Sequence, residues 1–190
     1  MKKTGNLKTL IASAVFVAGA GISAVAVSGG NPMVGGAEMY PEKTIVANAS
    51  QAENLTTLVA AVKAAGLAAT LSGKGPFTVF APTNAAFEKL PEGTVEELLK
   101  PKNKQKLQSI LTYHVVPAKA TSMAAMKMVE DDGGMHPAPT VQGGELKLST
   151  KDGKLMIEDS QGNMATVIQA DVMQSNGVVH VIDTVLMPGM

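Results

Sequence analysis

The chain is 190 residues long with 16 basic and 16 acidic residues, every basic one a lysine, and it holds no cysteine, arginine or tryptophan. At 45% hydrophobic and 17% charged it is a folding sequence and not a disordered one. The absence of cysteine excludes a disulfide scaffold, a redox dithiol, a zinc ribbon and a thiolate nucleophile; neutral charge with two Tyr and four Phe argues against nucleic-acid binding.

Lys2, Lys3 and Lys8 precede an apolar stretch from Leu10 to Val27, the charged and hydrophobic regions of a secretory signal. Cleavage is expected at Ala24-Val25-Ala26, with Ala26-Val27-Ser28 as a second site; an uncleaved anchor is the alternative, since the stretch is just long enough to span a bilayer. Residues 1–26 are thus read as a signal peptide. Removing them leaves 164 residues with 13 Lys against 16 acids, a net charge of −3. The expected product is exported, periplasmic or secreted, and is not held in or on a membrane once cleaved. The lysine-led signal and short mature domain suggest a bacterial source.

Residues 27–41, rich in Gly and Pro, read as a flexible leader. Leu55, Leu58, Val59 and Val62 recur at helical spacing, and Gly66 is placed to end that helix. Phe77 to Phe80 is a short strand running into Pro82, after which Thr83-Asn84 opens a helix carrying Phe87 and Leu90. Thr94 with Glu97 three residues on has the pattern of a capping box, and Pro101 breaks the helix it starts. Leu107, Ile110 and Leu111 mark another helix, with Tyr113 to Val116 passing into a strand. Leu146 and Leu148 alternate with polar residues, Asp152-Gly153 makes a hairpin turn, and Leu155 and Ile157 alternate on the return. Strands at Ala165–Ile168 and Val178–Ile182 follow, with Asn176-Gly177, two residues that tolerate positive φ, as the turn before the last. Helices first and strands later predict an α+β fold.

Three blocks occur in order: GPFTVFAPTNAAFEKLP (Gly75 to Pro91), ILTYHVVP (Ile110 to Pro117) and SNGVVHVIDTVLMP (Ser175 to Pro188). Together they resemble the fasciclin domain over residues 42–188, the first and last blocks matching the family's two signature boxes. The resemblance implies a β-sandwich or wedge with a helical layer. It also implies a surface or secreted module acting in adhesion or matrix cohesion, without catalysis and without a cofactor, with a cell-surface or matrix protein or polysaccharide as partner.

The resemblance further offers Tyr113 and His114 as binding residues, since the Tyr-His neighbourhood of animal relatives is credited with receptor binding. On a strand, one of these neighbours would be buried and the other outward; the competing reading makes His114 a hydrogen-bonded core residue. Asp171, Val172 and Met173 align with an Asp-Ile-Met adhesion motif, with Val in place of Ile and Gln169-Ala170 in place of the preceding Glu-Pro.

Methionine is abundant, at 12 residues, and Met123, Met126, Met128, Met135 and His136 crowd into fourteen positions. Soft thioethers and imidazole suit copper, so Met128, Met135 and His136 form a candidate metal set for a periplasmic metal-binding or stress protein. Met123 and Met126 at helical spacing otherwise read as core fillers, with Met135-His136 in a loop. The run Glu130-Asp131-Asp132 reads as a solvated face, and His180 as packing. No G-x-S-x-G elbow, H-E-x-x-H helix or phosphate loop is present. Asn48-Ala49-Ser50 and Asn54-Leu55-Thr56 are glycosylation sequons that matter only in a eukaryotic host.

Overall fold

The computed structural model describes residues 31–189; the expected signal peptide and the start of the leader lie outside them. Among the described residues no helix is long and apolar enough to cross a membrane.

The leader is not free from Asn31 onward. Gly35 and Gly36, both at positive φ, turn a hairpin between β1 (Met33–Val34) and β2 (Ala37–Glu38). Val34 and Met39 are buried in the core, and the Glu53 amide donates to the Gly35 carbonyl. Gly-rich composition here marks a tight turn and a close approach, since a Cβ on Gly35 would stand 2.7 Å from the Asn54 amide nitrogen.

Six helices precede most of the sheet: α1 (Ile45–Ala49), α2 (Thr56–Ala65), α3 (Ala68–Leu71), α4 (Asn84–Glu88), α5 (Thr94–Leu99) and α6 (Lys104–Tyr113). Gly66 ends α2 at φ 72°, and the Thr83 hydroxyl caps α4 by accepting from the Ala86 amide at 3.2 Å. Thr94 is not a cap: Gly93 holds that position at φ 80°, which a side chain disfavours, and Glu97 pairs with Lys100 and Lys102. A seventh helix, α7 (Ser122–Asp131), lies between the strands and is capped by Thr121.

The seven-stranded sheet runs β4-β3-β9-β8-β7-β6-β5, from β3 (Phe77–Pro82), β4 (Val115–Val116), β5 (Met135–Pro139), β6 (Glu145–Lys151), β7 (Lys154–Glu158), β8 (Met164–Gln174) and β9 (Gly177–Ile182). β3 and β9 are parallel and every other neighbouring pair is antiparallel. The expected hairpin at Asp152-Gly153 is present, both residues having positive φ.

β8 is longer than the strand its alternation suggests. Register shifts between Val167 and Gln169 and between Gln169 and Val172 break the period of two, and Asp171 sits at φ 58° in the second. The bulges bend the sheet until its edges approach: the Val141 amide, just past β5, donates to the Val115 carbonyl of β4 at 2.8 Å.

One apolar cluster joins the helices to β3, β9 and Val172; the other, with Phe80, Tyr113, Leu146, Leu155 and Ile157, fills the curved sheet under α7. The fold is α+β, a mixed-sheet wedge with a helical layer.

Candidate functional site

Tyr113 and His114 do not sit on a strand. Tyr113 ends α6 and His114 is its C-terminal cap, so the expected alternation does not apply and both rings point inward, 1% and 2% exposed. The Tyr113 hydroxyl donates to the Glu145 carbonyl at 2.8 Å and accepts from the Ser160 amide at 3.0 Å. His114 Nδ1 donates to the Ile110 carbonyl at 2.8 Å and Nε2 accepts the Leu186 amide at 3.0 Å, which fixes a neutral tautomer. Burial drives its pKa down to about 4, against the opposing pull of the Ile110 carbonyl and the Asp159 charge. These two residues tie the helical layer to the sheet and to the C-terminal segment, and offer a partner no surface.

In the Asp171 group only Val172 is fully buried, and the half-buried Asp171 is committed to partners within the fold. Its carboxylate accepts from the Ser122 amide at 2.7 Å and from the Ser122 hydroxyl, placing negative charge at the start of α7. Its own amide donates to His180 Nδ1 at 3.2 Å, and His180 Nε2 donates to the Ala120 carbonyl at 2.9 Å. The His180 ring stacks on Phe80 at 5.7 Å, and burial pushes its pKa down. Val172 is in the helical core and Met173 is half-buried.

The candidate metal residues are divided. Met128 and His136 line one apolar groove beside Phe80, Val116 and Leu148, but β5 is a strand and not a loop, so Met135 points to the opposite, solvent side. His136 Nδ1 lies 2.6 Å from Asp132 Oδ2. Among the described residues no three His, Cys, Asp or Glu side chains gather to hold a metal. Met123 is no core filler; it is 79% exposed.

Two other sequence expectations change. Asn176 and Gly177 do not have positive φ. Asn176 is a side-chain hub: Oδ1 accepts the Ile45 amide at the start of α1, while Nδ2 donates to the carbonyls of Leu71 (2.7 Å), the last residue of α3, and Gly73 (3.0 Å), just beyond it. Gly177 is glycine because a Cβ would lie 2.1 Å from the Phe77 carbonyl oxygen on β3. Asn48, the acceptor of the first sequon, is fully buried and bonds Tyr40 and Gln174, so the folded chain cannot present it.

What does face solvent is an open cleft of about 440 Å³ at the end of the sheet where β3 and β9 begin. Lys74 and Lys119 flank it, Thr44, Ser72 and Ser175 add hydroxyls, and no acidic residue lines it. Antiparallel pairing of Thr78 with Val116 brings the two lysines together from positions 45 apart in sequence. Neither lysine carries a sequence signal of its own: each lies at the margin of a recognisable block, and only the strand pairing reveals that the margins meet.

The sequence profile of the fasciclin domain matches residues 53–188. Protein sll1483 of Synechocystis sp. is 52% identical over 147 residues, covering 77% of this chain and 74% of the relative. The cell surface glycolipoprotein MPB83 of Mycobacterium bovis is 38% identical over 145 residues, 74% of this chain and 58% of the relative. Among solved structures, the domain pair of the insect cell adhesion molecule Fasciclin I matches with a TM-score of 0.70 at 20% identity, over 77% of this chain and 51% of that one. The signature blocks, the wedge they build and the matched profile agree, and the chain belongs to the fasciclin domain family.

Proposed function

We propose that this is an exported, non-catalytic fasciclin-domain protein that acts through its surface in adhesion or matrix cohesion, with a surface or matrix protein or polysaccharide as partner. The observation that carries this reading is the contrast between buried histidines whose ring nitrogens are all committed within the fold and an open polar cleft on the surface. His114 and His180 each spend both ring nitrogens on backbone partners, and the Asp171 carboxylate is held by Ser122. A general base needs a lone pair that faces a substrate, and the two buried imidazoles offer none. The remaining histidine, His136, pairs with Asp132 through Nδ1 only. The name of the relative MPB83 as a cell surface glycolipoprotein supports a location outside the cytoplasm.

Binding of the purified protein to cell surfaces, polysaccharides and extracellular proteins tests the reading, with the heat-unfolded chain as control. Saturable binding by the folded protein alone is the expected result. Binding no greater than that of the unfolded control on every surface would overturn it.

A further inference from the structure

We propose that the cleft between Lys74 and Lys119 is the contact surface for the carboxylate groups of an acidic polysaccharide; this rests on the adhesion reading and names its partner.

Charge is the first argument. With residues 1–26 removed the chain carries 13 Lys against 16 acids, so a surface lined by two lysines and no carboxylate runs against the overall balance. Among the described residues neither lysine is in an ion pair, whereas Lys89, Lys100, Lys102, Lys127 and Lys147 are. Both ammonium groups are therefore available to an external anion.

Rigidity of the mounting is the second. The buried Thr78 hydroxyl donates to the Ala118 carbonyl at 2.6 Å and accepts the Ala120 amide at 2.8 Å, pinning the backbone on both sides of Lys119. On the other wall Asn176 holds the Gly73 carbonyl, and Gly75 lies so close to Asn176 that a Cβ there would stand 1.9 Å from its carbonyl oxygen. Lys74 thus projects from between two fixed residues. Buried side chains hold the backbone that carries both lysines in place, which reduces the ordering cost of binding.

The rest of the lining selects the class of anion. Ser72 and Ser175 are exposed and match the hydroxyl groups of a sugar chain. No aromatic residue lines the cleft, so nucleobases find no stacking surface, and lysine lacks the guanidinium fork that grips phosphate with two parallel bonds. Exposed lysine contacts are individually weak, so affinity arises from repeated carboxylates along one polymer engaging several protein molecules, and it falls with salt.

The test is retention of the intact protein on immobilised polygalacturonate at low salt, beside neutral dextran, poly-glutamate and an extracellular protein extract. The variants are K74E/K119E and, with the same change in net charge, K151E/K154E at the β6–β7 hairpin; circular dichroism checks that each folds. Expected is retention on polygalacturonate above dextran and poly-glutamate, reduced about tenfold or more in K74E/K119E, near wild type in K151E/K154E, and kept in K74R/K119R. Equal losses in the two charge-reversed variants, undiminished binding by K74E/K119E, or equal retention on poly-glutamate would each overturn the proposal. Wild-type binding to the extract or dextran without binding to polygalacturonate would overturn it while leaving the adhesion reading standing. Binding to none of the four would remove both.

Discussion

The Leu186 amide donates to His114 Nε2 at 3.0 Å, so a ring at the end of α6 holds the segment that follows the last strand. The other ring nitrogen is already committed to the Ile110 carbonyl. A second proton on this imidazole would displace the Leu186 contact and place a charge in a fully buried site.

Acid should therefore destabilise the protein well above the carboxylate range. The folded-state pKa of His114 lies near 4, below its ordinary value of 6.5, so the unfolded chain binds a proton that the folded chain refuses. The stability is complete above pH 6.5 and falls by about 3 kcal/mol as pH drops through the window to about 4. Urea titrations at pH 7.5, 6, 5 and 4 on the wild type and His114→Gln measure it. A variant whose pH slope over this window matched that of the wild type would refute the assignment.

Asn176 joins α1, the end of α3 and the start of β9 through one side chain. Asn176→Ala leaves the Ile45 amide and two carbonyls without this partner and should cost about 2–4 kcal/mol. Asn176→Asp should not rescue it, because a carboxylate would face the Leu71 and Gly73 carbonyl oxygens. Denaturant midpoints compare the three proteins; an Asp variant as stable as wild type would mean that the two donated bonds carry little.

Phe80 is 2% exposed, stacks on His180 and belongs to the cluster inside the curved sheet. Phe80→Ala should cost about 3–5 kcal/mol in chemical denaturation, the usual range for an aromatic removed from a packed core. A loss below about 1 kcal/mol would show that the cluster collapses around the gap.

Oxidation should separate the methionines by exposure. Met123, Met33, Met135 and Met164 are 79%, 56%, 47% and 42% exposed, while Met39 is 2% exposed. Mild peroxide treatment followed by peptide mass mapping should find sulfoxide at the first four before Met39, with the thermal transition of the early products unchanged. Early modification of Met39 would mean that the N-terminal hairpin opens in solution.

The parts of the fold legible in the sequence were those whose cause is local. Thr83 caps the helix after β3, Gly66 stops α2, and Asp152-Gly153 turns a hairpin, each through a few neighbouring backbone groups. The order of the three blocks carried the family and with it the wedge. Long-range causes were not legible. Nothing around Asn176 shows that its Oδ1 serves an amide 131 residues earlier, or that the glycine after it answers to the Phe77 carbonyl. The alternation rule failed at Tyr113-His114 because α6 runs to Tyr113 before the chain extends, and in β8 because bulges let Asp171 turn back to Ser122. For the same reason Tyr113, His114 and Val172, which the motif comparison favoured, lie in the interior, while Asp171 and Met173 are half-buried. The cleft lysines lie outside every pattern that a linear reading can weigh.

The strand at one border of the sheet, β5, pairs only with β6, and two of its five residues are Pro137 and Pro139. Proline has no N–H to offer an incoming strand, and at the opposite border β4 is only two residues long. Neither border is a good template for β-augmentation, by a second molecule or by an extended peptide. Even at high concentration such a domain is protected from growing into cross-strand fibres, and a contact between two copies has to run through side chains and not through paired backbones.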